Sequence, residues 1–167
     1  MNYEHFMRAA LDQAQKALSA GEFPVGCVVV HQDRILVTGR RKGTTGNNPN
    51  EMDHAEMIAL KRLVDLKIHR EKKRLILFTT LEPCLMCLGA LALSGIREIV
   101  YAYEDVMGGG LGCDLAMLTP LYKNNRITIV PNILRRESLE LFKAFFNDPG
   151  NSYWQGSLLA RYTLSRK

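Results

Sequence analysis

No apolar run in the 167-residue sequence approaches the ~18 residues that a membrane-spanning helix requires, so a membrane protein is not expected. Residues 1–15 are polar and mixed in charge, and neither a secretory signal nor an anchor is expected there. Cysteine is scarce. Of the four in the chain, Cys27 and Cys113 are solitary and Cys84 and Cys87 lie one helical turn apart, which is no disulfide framework for a chain of this size. A reducing, cytoplasmic setting follows as the expectation. Internal repeats are absent, and the glycine-rich stretch 107–112 lacks the Lys-Ser/Thr that completes a phosphate-binding loop. A nucleotide clamp of that kind is excluded.

What is present suits one globular domain. A hydrophobic fraction of 47% and a charged fraction of 23% are ordinary, and the length is enough to bury roughly two thirds of the unfolded surface without covalent staples. The formal charge of +5 permits an anionic partner such as RNA without requiring one.

The periodicity predicts a helix over 3–20 with Phe6, Ala10, Ala14, Ala17 and Leu18 inward and Gly21 as its stop. A buried strand over 25–31, a turn at Gln32-Asp33 and a strand over 34–38 read as a hairpin, with Cys27 a small core residue inside it. A polar loop follows over 39–49, and Asp53 is placed to cap a helix running to about residue 66. The basic strip 67–74 reads as a solvated connection. Strands are predicted over 75–79, 98–102 and 127–130, and helices from Pro83 to about residue 94, over 115–123 and over 135–146. This alternation implies an α/β domain over 1–150 with helices on both faces of a mostly parallel segment. Residues 151–167 form a tail that reads equally as a docked helix, a partner-binding segment or a partly disordered end.

The chemistry concentrates at residues 79–90, where a strand gives way to Glu82-Pro83-Cys84-Leu85-Met86-Cys87. Pro83 suits the first position of a helix, so both sulfurs crowd a helix N-terminus, whose unpaired N–H groups favour thiolate. By themselves the thiols fit a redox pair as well as a zinc site. His54-Ala55-Glu56, also at a predicted helix start, favours zinc: an imidazole and two thiolates are three protein ligands, leaving a fourth position open as in catalytic sites. Glu56 cannot share a helix face with His54, being about 200° further round, yet in a first turn both side chains can lean past the helix end. His-x-Glu joined to a downstream Pro-Cys-x-x-Cys is the signature of zinc nucleobase deaminases.

With these residues the chain resembles the cytidine and deoxycytidylate deaminase superfamily, and within it the bacterial tRNA-specific adenosine deaminases. Further matches are Pro24-Val25-Gly26, Thr80-Leu81, Leu88-Gly89-Ala90, Tyr101-Ala102 with Asp105, and Phe145-Phe146, so that the similarity runs from about residue 3 to residue 146. The resemblance implies a three-layer α/β/α sandwich with a central five-stranded mixed sheet. It implies one zinc per chain held by His54, Cys84 and Cys87, with Glu56 as the proton shuttle. It also implies a homodimer, and a substrate site including Pro24, Val25, the N–H of Ala55 and the carbonyl of Glu82.

Two departures bear on substrate. Relatives carry Trp-Asn where this chain has Arg40-Arg41, and the loop before His54 is longer, offering Asn47, Asn48 or Asn50 as replacement amides. Arg41 is accordingly a substrate-binding candidate, its planar fork suited to phosphate or another acidic group. The basic run that follows the paired phenylalanines in relatives is Asn147-Asp148-Pro149 here. The expected activity is hydrolytic deamination of an amino-substituted nucleobase, tRNA adenosine included. A deaminase of free guanine or cytosine compounds is the alternative within the class, and a thiol-disulfide oxidoreductase or a silent zinc scaffold are the alternatives outside it.

Overall fold

The computed structural model describes residues 1–46, 49–66 and 74–166; Asn47, Asn48 and all of the basic strip but Arg74 lie outside them. Helix α1 (Tyr3–Leu18) begins where the Asn2 side chain accepts the His5 N–H at 3.1 Å, and it buries Phe6, Met7, Ala10, Ala14 and Ala17. Strands β1 (Gly26–His31) and β2 (Arg34–Arg40) form the expected hairpin. Gln32 and Asp33 both take positive φ, +47° and +58°, the twist a two-residue hairpin turn requires.

Helix α2 (Ala55–Asp65), strand β3 (Leu75–Leu81), helix α3 (Leu85–Leu93) and strand β4 (Ile96–Tyr103) follow, then a single 3-10 turn at Leu115–Met117 and helix α4 (Pro120–Lys123). Strand β5 (Thr128–Val130) and helices α5 (Arg135–Asn147) and α6 (Leu158–Leu164) complete the chain. The one helix predicted over 115–123 is therefore two short pieces. Pro120 disfavours the helical region for the residue before it, and Thr119 stands extended at ψ 162° between them.

The sheet order is β2-β1-β3-β4-β5. β1 pairs antiparallel with β2 and β3, while β3–β4 and β4–β5 are parallel. The parallel portion thus covers half of the pairings rather than most of them, because the hairpin enters the sheet beside β3. On one face α1 closes over Val28, Val30, Ile76, Phe78, Val100 and Ala102. On the other, α2 and α3 bury Cys27, Val29, Leu75, Leu77, Ile96 and Ile99. Helix α5 lies beside α1 and extends the core through Leu139, Phe142, Phe145 and Phe146 to α6, which docks Leu159 and Ala160. This is the three-layer α/β/α arrangement.

Two helix starts differ from expectation, and both differences matter for the site. Asp53 does not cap α2: its carboxylate accepts from Asn50 Nδ2 at 2.8 Å and from Lys61 Nζ at 3.2 Å, and His54 occupies the N-cap position. Pro83 does not open α3. Its carbonyl accepts the Gly110 N–H at 2.8 Å and Cys84 pairs with Gly109 as an isolated bridge, so the chain stays extended through Cys84, which becomes the N-cap.

Candidate active site

His54 and Cys84 are the N-cap residues of α2 and α3, Glu56 lies in the first turn of α2, and Cys87 lies in the first turn of α3. The two helix starts converge because α2 packs tightly on β2. A Cβ at Gly39 would lie 2.0 Å from the Ala55 carbonyl oxygen, so glycine there is what lets the start of α2 sit against the sheet.

His54 Nδ1 lies 3.5 Å from Cys84 Sγ and 3.6 Å from Cys87 Sγ, and the three atoms all fall within 4.8 Å of one another. A tetrahedral zinc with Zn–S of about 2.3 Å and Zn–N of about 2.0–2.1 Å sets its nitrogen and sulfur ligands about 3.6 Å apart. The donor set and its spacing therefore fit zinc. The two thiols are shifted in opposite directions. Cys84 is pulled down to about 4, first by its hydrogen bond with Cys87 and also by that with His54; Cys87 is pushed well up by the same sulfur partner and by burial. Burial opposes the charged form of His54, but the hydrogen bond to Cys84 and the nearby Glu56 outweigh it and raise its pKa.

Glu56 is only 3% exposed. Its Oε1 accepts from Thr79 Oγ1 at 2.8 Å, and its Oε2 lies 3.6 Å from Cys87 Sγ. Burial raises its pKa above the ordinary carboxylate value, with the Thr79 bond and the His54 charge among the groups working against the shift. A carboxyl group so placed can hold or release a proton beside the ligand cluster. A pocket opens over it, lined by the buried Glu56 with His54 and Cys84 at its base and by Phe23, Tyr153 and Trp154 at its side.

Of the substrate-binding candidates, Val25, Arg41, Ala55 and Glu82 line this pocket. Pro24 does not; it is buried behind it, its carbonyl 3.5 Å from Thr80 Oγ1. Arg41 reaches the pocket wall with its guanidinium turned onto the protein, donating to the Asn50 carbonyl at 2.7 Å and to Glu51 Oε2 at 3.0 Å. The Glu82 side chain has a structural use as well: its two oxygens accept the N–H groups of Asp105 and Leu111, laying the glycine-rich loop against the start of α3. A Cβ at Gly109 would collide with that carboxylate at 2.6 Å. The loop that carried no chemistry in sequence thus brings Gly108 to the pocket, its N–H donating to Asp105 Oδ1 at 2.9 Å, and Asp105 lines the pocket beside it.

Thr79, Asp105, Phe23, Tyr153 and Trp154 were not among the sequence candidates. Alternation along β3 does put Thr79 on the face of Leu77 and Leu81, where a hydroxyl among buried apolar residues needs a partner. No periodic signal marks Tyr153 or Trp154.

The family model for the cytidine and deoxycytidylate deaminase zinc-binding region matches residues 1–103. The tRNA-specific adenosine deaminase of Streptococcus pyogenes serotype M1 is 32% identical over 145 residues, covering 85% of this chain and 82% of that protein. A solved structure from studies of tRNA:A34 deaminases superposes with a TM-score of 0.66 at 27% identity, over 82% of this chain and 98% of that one. Guanine deaminase from Bacillus subtilis gives a TM-score of 0.53 at 34% identity, over 62% of this chain and 66% of that one. With the spacing of the three ligands and a buried carboxyl group at their side, these likenesses mean that the chain belongs to the cytidine and deoxycytidylate deaminase family and is a zinc-dependent hydrolytic deaminase.

Proposed function

We propose that the chain replaces the exocyclic amino group of a purine by oxygen, acting on adenosine in tRNA as the relatives similar to it over most of its length do. The observation that carries the chemistry is Glu56, buried and held by Thr79 beside the His54, Cys84, Cys87 cluster at the base of the pocket. Bound zinc supplies Lewis acidity at the open face of those ligands. Glu56 takes a proton from the attacking water and delivers it to the adjacent ring nitrogen, which makes the amino-bearing carbon electrophilic. It then takes the remaining proton of the added hydroxyl as the carbonyl forms and passes it to the departing amine. Water adds, ammonia leaves, and the carboxylate ends as it began, so one group does both the acid and the base work. Thr79 keeps Oε1 fixed and leaves Oε2 as the atom that carries the proton. Val25, the Ala55 N–H and the Glu82 carbonyl orient the base, whose flat face meets the aromatic side of the pocket.

A second reading, deamination of a free purine base, is favoured by one feature: Tyr153 and Trp154, from the carboxyl-terminal segment, add two stacked aromatic rings to the pocket lining. Ammonia release from an anticodon stem-loop, from nucleosides and from free bases separates the two. Turnover of the stem-loop supports the first reading, and turnover of free guanine alone replaces it with the second.

The working unit is a homodimer in this proposal. Helix α3 contains no polar side chain, yet Leu85 and Leu93 are exposed on its outer face, with Met117 and Leu121 exposed in the adjoining segment. A second copy covers that face. The mass in solution tests this, a monomer at micromolar concentration being the contrary result. All four cysteines are free, which suits a reducing cytoplasm, and among the described residues no helix is long and apolar enough to cross a membrane.

A further inference from the structure

Arg41 follows directly on β2 at the pocket wall and is only 2% exposed. Burying a guanidinium is costly unless its charge and its donors are met. Here NH1 donates to the carbonyls of Asn50 at 2.7 Å and Lys42 at 3.1 Å, and NH2 to Glu51 Oε2 at 3.0 Å and to the Tyr153 hydroxyl at 3.4 Å. The Tyr153 hydroxyl in turn donates to Glu51, 2.9 Å from Oε2. Three side chains from two distant stretches thus close one cluster. The Tyr153 ring stacks on Trp154 with centroids 5.0 Å apart and planes 11° apart, and Phe23 meets both rings edge-on. Both stacked rings line the pocket. Trp154 itself sits at φ +55°, a backbone conformation that a bulky residue keeps only when its surroundings hold it there.

We propose that Arg41 is a positioning residue: with Glu51 it fixes Tyr153, and through Tyr153 the stacked Trp154, as the wall that sets how the substrate base fits. Arg41 acts on the substrate through this wall rather than by offering its charge, because both of its terminal nitrogens are already engaged and Glu51 balances it. The cluster also stands behind the metal ligands, since His54 turns Nδ1 to the sulfurs and leaves Nε2 3.9 Å from Glu51 Oε2. The proposal rests on the pocket being the deaminase substrate site. Its test therefore includes a readout that needs no substrate.

Trp154 is the sole tryptophan. Its fluorescence reports directly on the wall. In Arg41→Met the emission is expected to move to the red and acrylamide quenching to increase, with zinc still one per chain. KM is expected to rise at least about fivefold, and several-fold more than kcat falls, the pattern of lost substrate fit. Glu51→Gln and Tyr153→Phe keep the volumes of their parents and carry the same test if Arg41→Met does not fold; each should shift emission and KM in the same direction by less. Folded variants with unchanged emission and KM, differing only in thermal stability, overturn the proposal. So does a fall in kcat that tracks loss of zinc, because the cluster would then act through His54. If the wild-type protein releases no ammonia from any substrate, the functional reading fails while the emission shift still decides whether the wall depends on Arg41.

Discussion

The base of the pocket and its side are built on different principles. At the base, His54, Glu56 and Cys84, with Cys87 buried beside them, sit in the first turns or N-caps of two helices that pack on the sheet, so regular backbone places each of them. At the side, Tyr153 and Trp154 come from an irregular segment between α5 and α6, tied to the loop before α2 by the Arg41–Glu51–Tyr153 cluster. The ligand cluster is anchored by main chain and the aromatic wall by side-chain hydrogen bonds, on which, in our proposal, substrate choice depends. A single substitution at the base should destroy the reaction, whereas one at the side should retune it.

The contrast can be broken most forcefully at the ligands. Cys87→Ala should lose zinc and reduce ammonia release to background, and stripping the metal with a chelator should do the same reversibly, as metal analysis alongside activity will report. Next comes Glu56→Gln, expected to keep zinc and lower turnover at least ~10²-fold. Thr79→Val should have a smaller effect at the same place. It strands a buried carboxylate oxygen without its donor, a loss of about 1–3 kcal/mol read in thermal or denaturant unfolding, with turnover reduced about tenfold. If Thr79→Val left turnover untouched, the placement of Glu56 would not depend on that bond.

The residues that proved legible in sequence are those whose positions follow from short-range rules. His-x-Glu and Pro-Cys-x-x-Cys each hold their members within a few residues, so the two halves of the site could be marked locally, and joining them decided between a redox pair and zinc. The buried strands announced themselves as apolar runs, and the Gln32-Asp33 turn fixed the hairpin. The exact helix starts did not follow. Asp53 and Pro83 are good initiators by local preference, but Asn50 and Lys61 occupy the one and Gly110 holds the other extended, all through contacts made only in the folded chain. Tyr153 was illegible for a stronger form of the same reason, since it meets Arg41 across 112 residues. An arginine in place of an asparagine reads locally as a new charge for the substrate. Its burial against Glu51 and Tyr153 is a tertiary fact.

The mildest probe concerns how α5 and α6 are attached. Burial alone would raise the pKa of Glu104, but its hydrogen bonds with Arg135, at the start of α5, and with Tyr162, in α6, outweigh this and lower it to about 2. The folded value lies below the ordinary 4.5, so this contribution to stability is complete above about pH 4.5 and is lost as pH falls toward 2. Glu104→Gln should therefore flatten the pH dependence of thermal unfolding in that window and leave it unchanged near neutrality. A variant curve parallel to the wild type between those values would show that Glu104 does not fasten the two helices.

The account stands most directly on one paired measurement, ammonia release by the wild-type protein and by Glu56→Gln at equal zinc content. The substrates are an adenosine-containing anticodon stem-loop, nucleosides and free purine bases. The expected result is turnover of one substrate class by the wild type and a rate at least ~10²-fold lower for the variant. Near-equal rates for the two proteins, or no ammonia from any substrate with zinc bound, would contradict it.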